Sequence, residues 1–232
     1  MTSIERVVDL SRPIRDDMAV WPGMPAPSFD VMFNHDEHGI FVRMIHITEH
    51  AGTHIDAPAH FIKGGTTVEA IAIDKLVCPA VVIDVSDKCE GDPDYAVTVA
   101  DVERFESAHG RVPTGSAALI RTGWDAFWDD PGRFVGVVGE LHFPGIGKDA
   151  ARLLVEQRGV VGIGIDTLGI DPGFVGDSFP VHRDVTLPGG IWHLEGLVNL
   201  GQVPPVGARL VVGALPLTGG SGAPARVFAL VG

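Results

Sequence analysis

The stretch EHAGTHIDAPAHF, Glu49 to Phe61, gathers three of the chain's ten histidines, His50, His54 and His60, around Asp56 and Pro58. A single histidine is more often a surface or hydrogen-bonded core residue than a ligand, so the grouping carries the argument. Imidazoles and a carboxylate together suit borderline divalent metals such as zinc, manganese or iron. Two histidines and one aspartate leave coordination positions open, the arrangement of catalytic rather than structural centres. An ion held so acidifies water and polarises a carbonyl oxygen, and a neighbouring histidine can carry the proton. Metal-assisted hydrolysis is the chemistry these residue types allow.

Backbone geometry decides whether they can meet. Along a straight strand residues rise ~3.3 Å each, which sets His50 and His54 about 13 Å apart at Cα. A helix would converge them, but Gly52, β-branched Thr53 and Ile55, and Pro58 oppose one. The chain is therefore expected to leave a strand near His50 and fold back at Gly52, where a glycine tolerates positive φ. The Thr53 hydroxyl is expected to fix that turn. His54 and Asp56, two apart and ~6–7 Å at Cα, then point the same way. His50, His54 and Asp56 are the expected metal ligands, and His60, beyond stiff Pro58, the expected acid/base.

The surrounding pattern is mostly strand. Residues 7–14, 41–50, 76–86, 116–124, 160–170, 208–217 and 225–232 read as strands, with alternating or continuous apolar residues. Residues 18–27, with Pro22, Gly23, Pro25 and Pro27, read as a loop. Two helices are expected. One spans 98–110, with Thr98 and Asp101 as a capping box and Gly110 as its stop; the other spans 149–159 and ends at Gly159. HLEGLVNL, residues 193–200, fits either a helix or a strand. The expectation is an α/β fold with a mixed, mostly β sheet and few helices, one domain over 1–232.

Composition excludes some functions. The net charge of −13 disfavours nucleic acid and anionic membranes as partners. No apolar run approaches the ~18 residues of a membrane span. The first eighteen residues lack the apolar region and cleavage site of a signal peptide, so the expected location is the cytoplasm. Cys78 and Cys89 form no CxxC pair, so a metal must be held by His and carboxylates, and Cys78 reads as a small buried residue. GIGIDT does not complete GxGxxG, and Ser221 in GGSGA lacks the frame of a nucleophile elbow and reads as a turn residue. Asp166 and Asp171 read as turn caps, and Trp124, Phe127 and Trp128 as core or interface. His35, His38, His109 and His142 receive no role.

HAGTHIDAPAHF resembles the HxGTHxDxPxHF signature of the cyclase family, which includes bacterial kynurenine formamidases and isatin hydrolases. VVDLSRPI, the WPGMP loop, LIRTGW and GGSGAPARVFAL are similar to further family segments. The resemblance implies a swivelling β/β/α fold and a homodimer. It makes His50, His54 and Asp56 ligands of a first metal, with Asp56 bridging to a second ion, and His60 the catalytic acid/base. It adds His182 and Glu195 as later ligands. His193 competes with His182, which is preferred because a histidine two residues before Glu195 would crowd a helical turn. Trp21 is implied as a substrate-pocket residue. The function so read is hydrolysis of the C–N bond of a small amide, an arylformamide such as N-formylkynurenine or a cyclic amide such as isatin, with one or two zinc or manganese ions. The alternatives are a lactonase or dehydratase on the same site, or a metal-stabilised binding protein without catalysis; His60 at its signature place favours an enzyme.

Overall fold

The computed structural model describes residues 4–137 and 140–232; the ends of the single-domain reading at 1–3 lie outside them. Ten strands matter for the site: β1 Arg6–Asp9, β2 Ser28–Phe33, β3 Val42–His46, β4 His54–Asp56, β5 Val77–Asp84, β6 Ala117–Arg121, β7 Gly162–Ile165, β8 Trp192–Glu195, β9 Ala208–Ala214 and β10 Gly222–Val231. Seven of them close into a barrel in the order β10, β9, β5, β6, β7, β8, β4, and back to β10. β5 to β8 run parallel, and the remaining pairs are antiparallel. β1 adds to β10 from outside the ring. Closure leaves the barrel no unpaired edge at β4, so a strand of three residues can be held on both sides.

Alternation along the strands produces two cores. Ile55, Cys78, Ala80, Val82, Leu119, Trp192, Leu194 and Leu210 fill the barrel. Val81, Ile83, Ala118, Ile120, Ile163 and Ile165 face outward, against Val102, Phe105, Ala151 and Leu154. These last four lie on the two expected helices. Val99–His109 carries the capping box of Thr98 and Asp101, and Lys148–Arg152 continues in wider turns through Leu153–Arg158 to Gly159 at φ 68°. As α/β crossovers they cover the parallel half of the barrel.

The glycines of GIGID have a packing reason. A Cβ on Gly162 would lie 2.3 Å from the Trp192 ring. The barrel has room for one of the two, and the large ring occupies it. HLEGLVNL opens as a strand, with His193 and Glu195 on the face opposite Leu194. β2 and β3 form a hairpin apart from the barrel, and nearly all its residues are exposed. The expected strand over 41–50 therefore ends at His46, and His50 sits in a bend.

Candidate metal centre

The register of two neighbouring strands builds the centre. His193 lies opposite Asp56 and Glu195 opposite His54, while Ile55 and Leu194 between them turn into the barrel. Four polar side chains therefore project from the outer face of β4 and β8. Turns of Pro172 to Thr186 cover them and bring in His182. Asp56, His182, His193 and Glu195 are all buried and place one ligand atom each within 4.8 Å of one another. His50, Asp56 and His60 form a second such group on the open side.

Each imidazole in the cluster has one nitrogen tied to the protein and one turned inward. His54 Nδ1 donates to the Gly52 carbonyl at 3.0 Å, leaving Nε2 3.3 Å from Asp56 and 3.5 Å from Glu195. His182 Nδ1 donates to Asp171 at 2.6 Å, and its Nε2 stands 3.4 Å from both Asp56 and Glu195. Thr186 gives its hydroxyl proton to the Val181 carbonyl and so accepts from His193 Nε2 at 2.6 Å. That leaves His193 Nδ1 an unprotonated, buried nitrogen without a hydrogen-bond partner, 3.8 Å from Asp56. A buried lone pair of this kind calls for a Lewis acid or a donor.

Charge makes the same demand. Burial opposes ionisation of Asp56, yet the imidazoles of His50, His182 and His193 hold its carboxyl well below the usual range. Burial likewise disfavours the His54 cation, but Asp56 and Glu195 overcome it and lift this imidazole to about 9. His182 is raised well above the ordinary histidine value, against its burial, by Asp171, Asp56 and Glu195. Two buried carboxylates thus draw positive charge to one point. The donor set of imidazoles and carboxylates fits a divalent cation there.

His60 differs from the others. The surrounding wall desolvates its cation, Asp56 draws the value back up, and His50 and His182 push it down, to about 4 in all. Its ring stacks on His50 with centroids 3.8 Å apart and faces a cavity of about 300 Å³. Trp21, Phe61, Phe179 and Leu168 form the walls of this cavity, and His54, Asp56, His182 and Glu195 also line it. Phe179 holds a left-handed φ of 44°, unusual for a bulky residue, and so reaches Trp21 at 5.5 Å and Phe61 at 5.3 Å.

The geometry brings together His50, His54, Asp56, His60, His182, Glu195 and Trp21. It does not force a choice between His182 and His193. Crowding would hold on a helix; on the strand β8, His193 and Glu195 share a face without it. Gly52 turns the chain at φ 65°. The Thr53 hydroxyl does not fix that turn: it accepts from Arg12 N–H at 2.9 Å and donates to the Gly196 carbonyl at 2.7 Å, tying the neighbouring segments together. Asp166 caps a turn by accepting from the Thr122 and Gly123 amides. Asp171 accepts from the Val181 and His182 amides too, but it also orients the His182 ring. Its two roles depend on a contact eleven residues away, which no local pattern announces.

Comparison with known proteins places this geometry in context. The Cyclase family model matches residues 8–172. Over 197 residues the chain is 34% identical to an isatin hydrolase of Roseibium aggregatum, covering 79% of this chain and 72% of that one. It is 30% identical to a kynurenine formamidase of Salinibacter ruber over 227 residues, 95% of each. The structure of isatin hydrolase A from Ralstonia solanacearum superposes with a TM-score of 0.91 at 32% identity, covering 98% of this chain and 92% of that one.

Proposed function

The chain belongs to the cyclase family, and from that premise we propose that it is a metal-dependent hydrolase of small amides. The observation that carries the reading is the set of inward-facing nitrogens and carboxylate oxygens of His54, Asp56, His182 and Glu195 lining an aromatic cavity, with His193 buried beside them. His50 joins them through Nδ1, 2.6 Å from Asp56. A zinc or manganese ion suits these ligands. Asp56 turns one oxygen to His50 and His54 and the other to His182 and His193, which also suits a pair of ions. The divalent ion would supply an acidified water and a polarised carbonyl oxygen.

The chain's own residues do the rest. Trp21, Phe61 and Phe179 hold an aryl group flat against the cavity wall. His60, neutral at pH 7, accepts a proton from the attacking water at one ring nitrogen and returns it to the departing nitrogen. Asp171 and Thr186 keep the His182 and His193 rings from turning, as outer partners of ligating histidines do. The substrate class is an arylformamide such as N-formylkynurenine or a cyclic aryl amide such as isatin.

A second copy completes the assembly. Val31, Met32, Phe33, Phe41, Val42 and Ile45 are exposed on the β2–β3 hairpin. An isolated two-stranded ribbon is marginal in water, and apolar residues on a protruding arm favour burial against another subunit. The protein is a homodimer in this reading.

The substrate assignment is tested by turnover of N-formylkynurenine, isatin and an aryl lactone by the metal-loaded protein. Turnover of either amide above the lactone is expected. Turnover of the lactone alone would replace the amidase reading with a lactonase.

A further inference from the structure

Ser221 and Glu49 lie outside the converging cluster, yet both bear on it. Ser221 stands in the loop entering β10 and Glu49 directly precedes His50, so the chain's tail meets its signature segment here. Ser221 Oγ donates to Glu49 Oε2 at 2.5 Å, and the Ser221 amide donates to the same oxygen at 2.9 Å. An ionised carboxylate only accepts, so the direction of the hydroxyl proton is fixed. Ser221 Oγ is therefore left as an acceptor for His50 Nε2, 2.9 Å away. Gly222 packs against the same ring, where a Cβ would lie 2.6 Å from His50 Cε1. Ala57 N–H, donating to the Ser221 carbonyl at 2.9 Å, pins the loop to the end of β4.

We infer that Glu49 and Ser221 are positioning residues that set the tautomer and the plane of His50, so that Nδ1 is its ligand atom. This rests on the metal-centre reading above. Three groups act in series: the Glu49 carboxylate orients the Ser221 hydroxyl, the hydroxyl oxygen accepts the hydrogen bond of Nε2–H, and Nδ1 keeps its lone pair toward Asp56. Asp171 and Thr186 do the same for His182 and His193, so the Ser221 arrangement is a third instance of one device. In it a serine stands between the carboxylate and the ring. The consequence extends to the stacked neighbour: a His50 ring free to rotate would no longer hold its 3.8 Å contact with His60.

The test is titration of the metal-free full-length protein with Mn²⁺ or Zn²⁺ by calorimetry, for the parent, Ser221→Ala, Ser221→Thr and Glu49→Ala. Melting of each metal-free variant is measured alongside. Ser221→Ala and Glu49→Ala should bind the ion about 10–100-fold more weakly. Ser221→Thr, which keeps the hydroxyl, should recover most of the parent affinity. Metal-free melting temperatures should stay near the parent's. Parent-like affinity in both alanine variants would overturn the inference while leaving the metal centre intact. So would weakening in Ser221→Thr equal to that in Ser221→Ala. A parent that binds neither ion would overturn the metal centre itself. If Ser221→Ala does not fold, Glu49→Ala alone decides: it takes the acceptor from the Ser221 amide but keeps Ser221 itself and the Ala57 bond to its carbonyl.

Discussion

His60 and His54 sit six residues apart and face the same carboxylate, yet their surroundings drive them in opposite directions. Asp56 and Glu195 hold the His54 imidazole up at about 9, whereas the wall and two neighbouring imidazoles push His60 down to about 4. One is built to sit among negative charges and the other to stay neutral and accept a proton. A His60→Ala protein should therefore retain its metal by elemental analysis and lose turnover by about 10²–10⁴-fold, the usual contribution of a positioned acid/base. Parent-like turnover in that variant would remove His60 from the mechanism. The signature stretch made His50, His54, Asp56 and His60 legible in the sequence, because Gly52 and Pro58 leave few ways to fold it. His193 was legible in principle, from the period of two that links it to Glu195, once the segment is read as a strand. Asp171, Ser221 and Glu49 were not, since their roles arise from contacts across the fold.

Elements place these residues through packing as much as through pairing. β4 has only three residues, and its position depends on β8 and β10 on either side. β8 in turn is held by Trp192, whose ring fills the barrel against Gly162. Gly162→Val should drive that ring out of place and destabilise the fold by about 1–3 kcal/mol, the usual cost of overpacking, read by urea unfolding. An unchanged midpoint would mean that the barrel interior accommodates the methyls and that Trp192 does not fix β8. Both long helices and the central strands were legible from periodicity and caps. The closure of β4 onto β10 was not, because a three-residue strand carries too few side chains to show a period. The glycines of GIGID invite comparison with a phosphate loop, but packing is what requires them: the Trp192 ring at Gly162, and the Leu119 and Leu197 side chains at Gly164.

At the scale of the whole molecule, the hairpin of β2 and β3 is the part least accounted for by one chain. Its exposed apolar residues lie apart from the barrel, and its two strands pair with each other alone among the described residues. If they are buried in a dimer, Phe41→Glu combined with Ile45→Lys should shift the protein from dimer to monomer in analytical ultracentrifugation while leaving its far-ultraviolet dichroism unchanged. A parent protein that sediments as a monomer would rule out the homodimer. No described helix is long and apolar enough to cross a membrane.

The proposed hydrolysis requires a divalent ion in the centre formed by β4, β8 and the His182 turn. The most direct measurement strips the protein with a chelator, verifies the removal by elemental analysis, and follows hydrolysis of N-formylkynurenine and isatin before and after Mn²⁺ or Zn²⁺ is returned. The prediction is no turnover without metal, and recovery on at least one of the two amides when one or two equivalents are restored. Full turnover by the verified metal-free protein would contradict it.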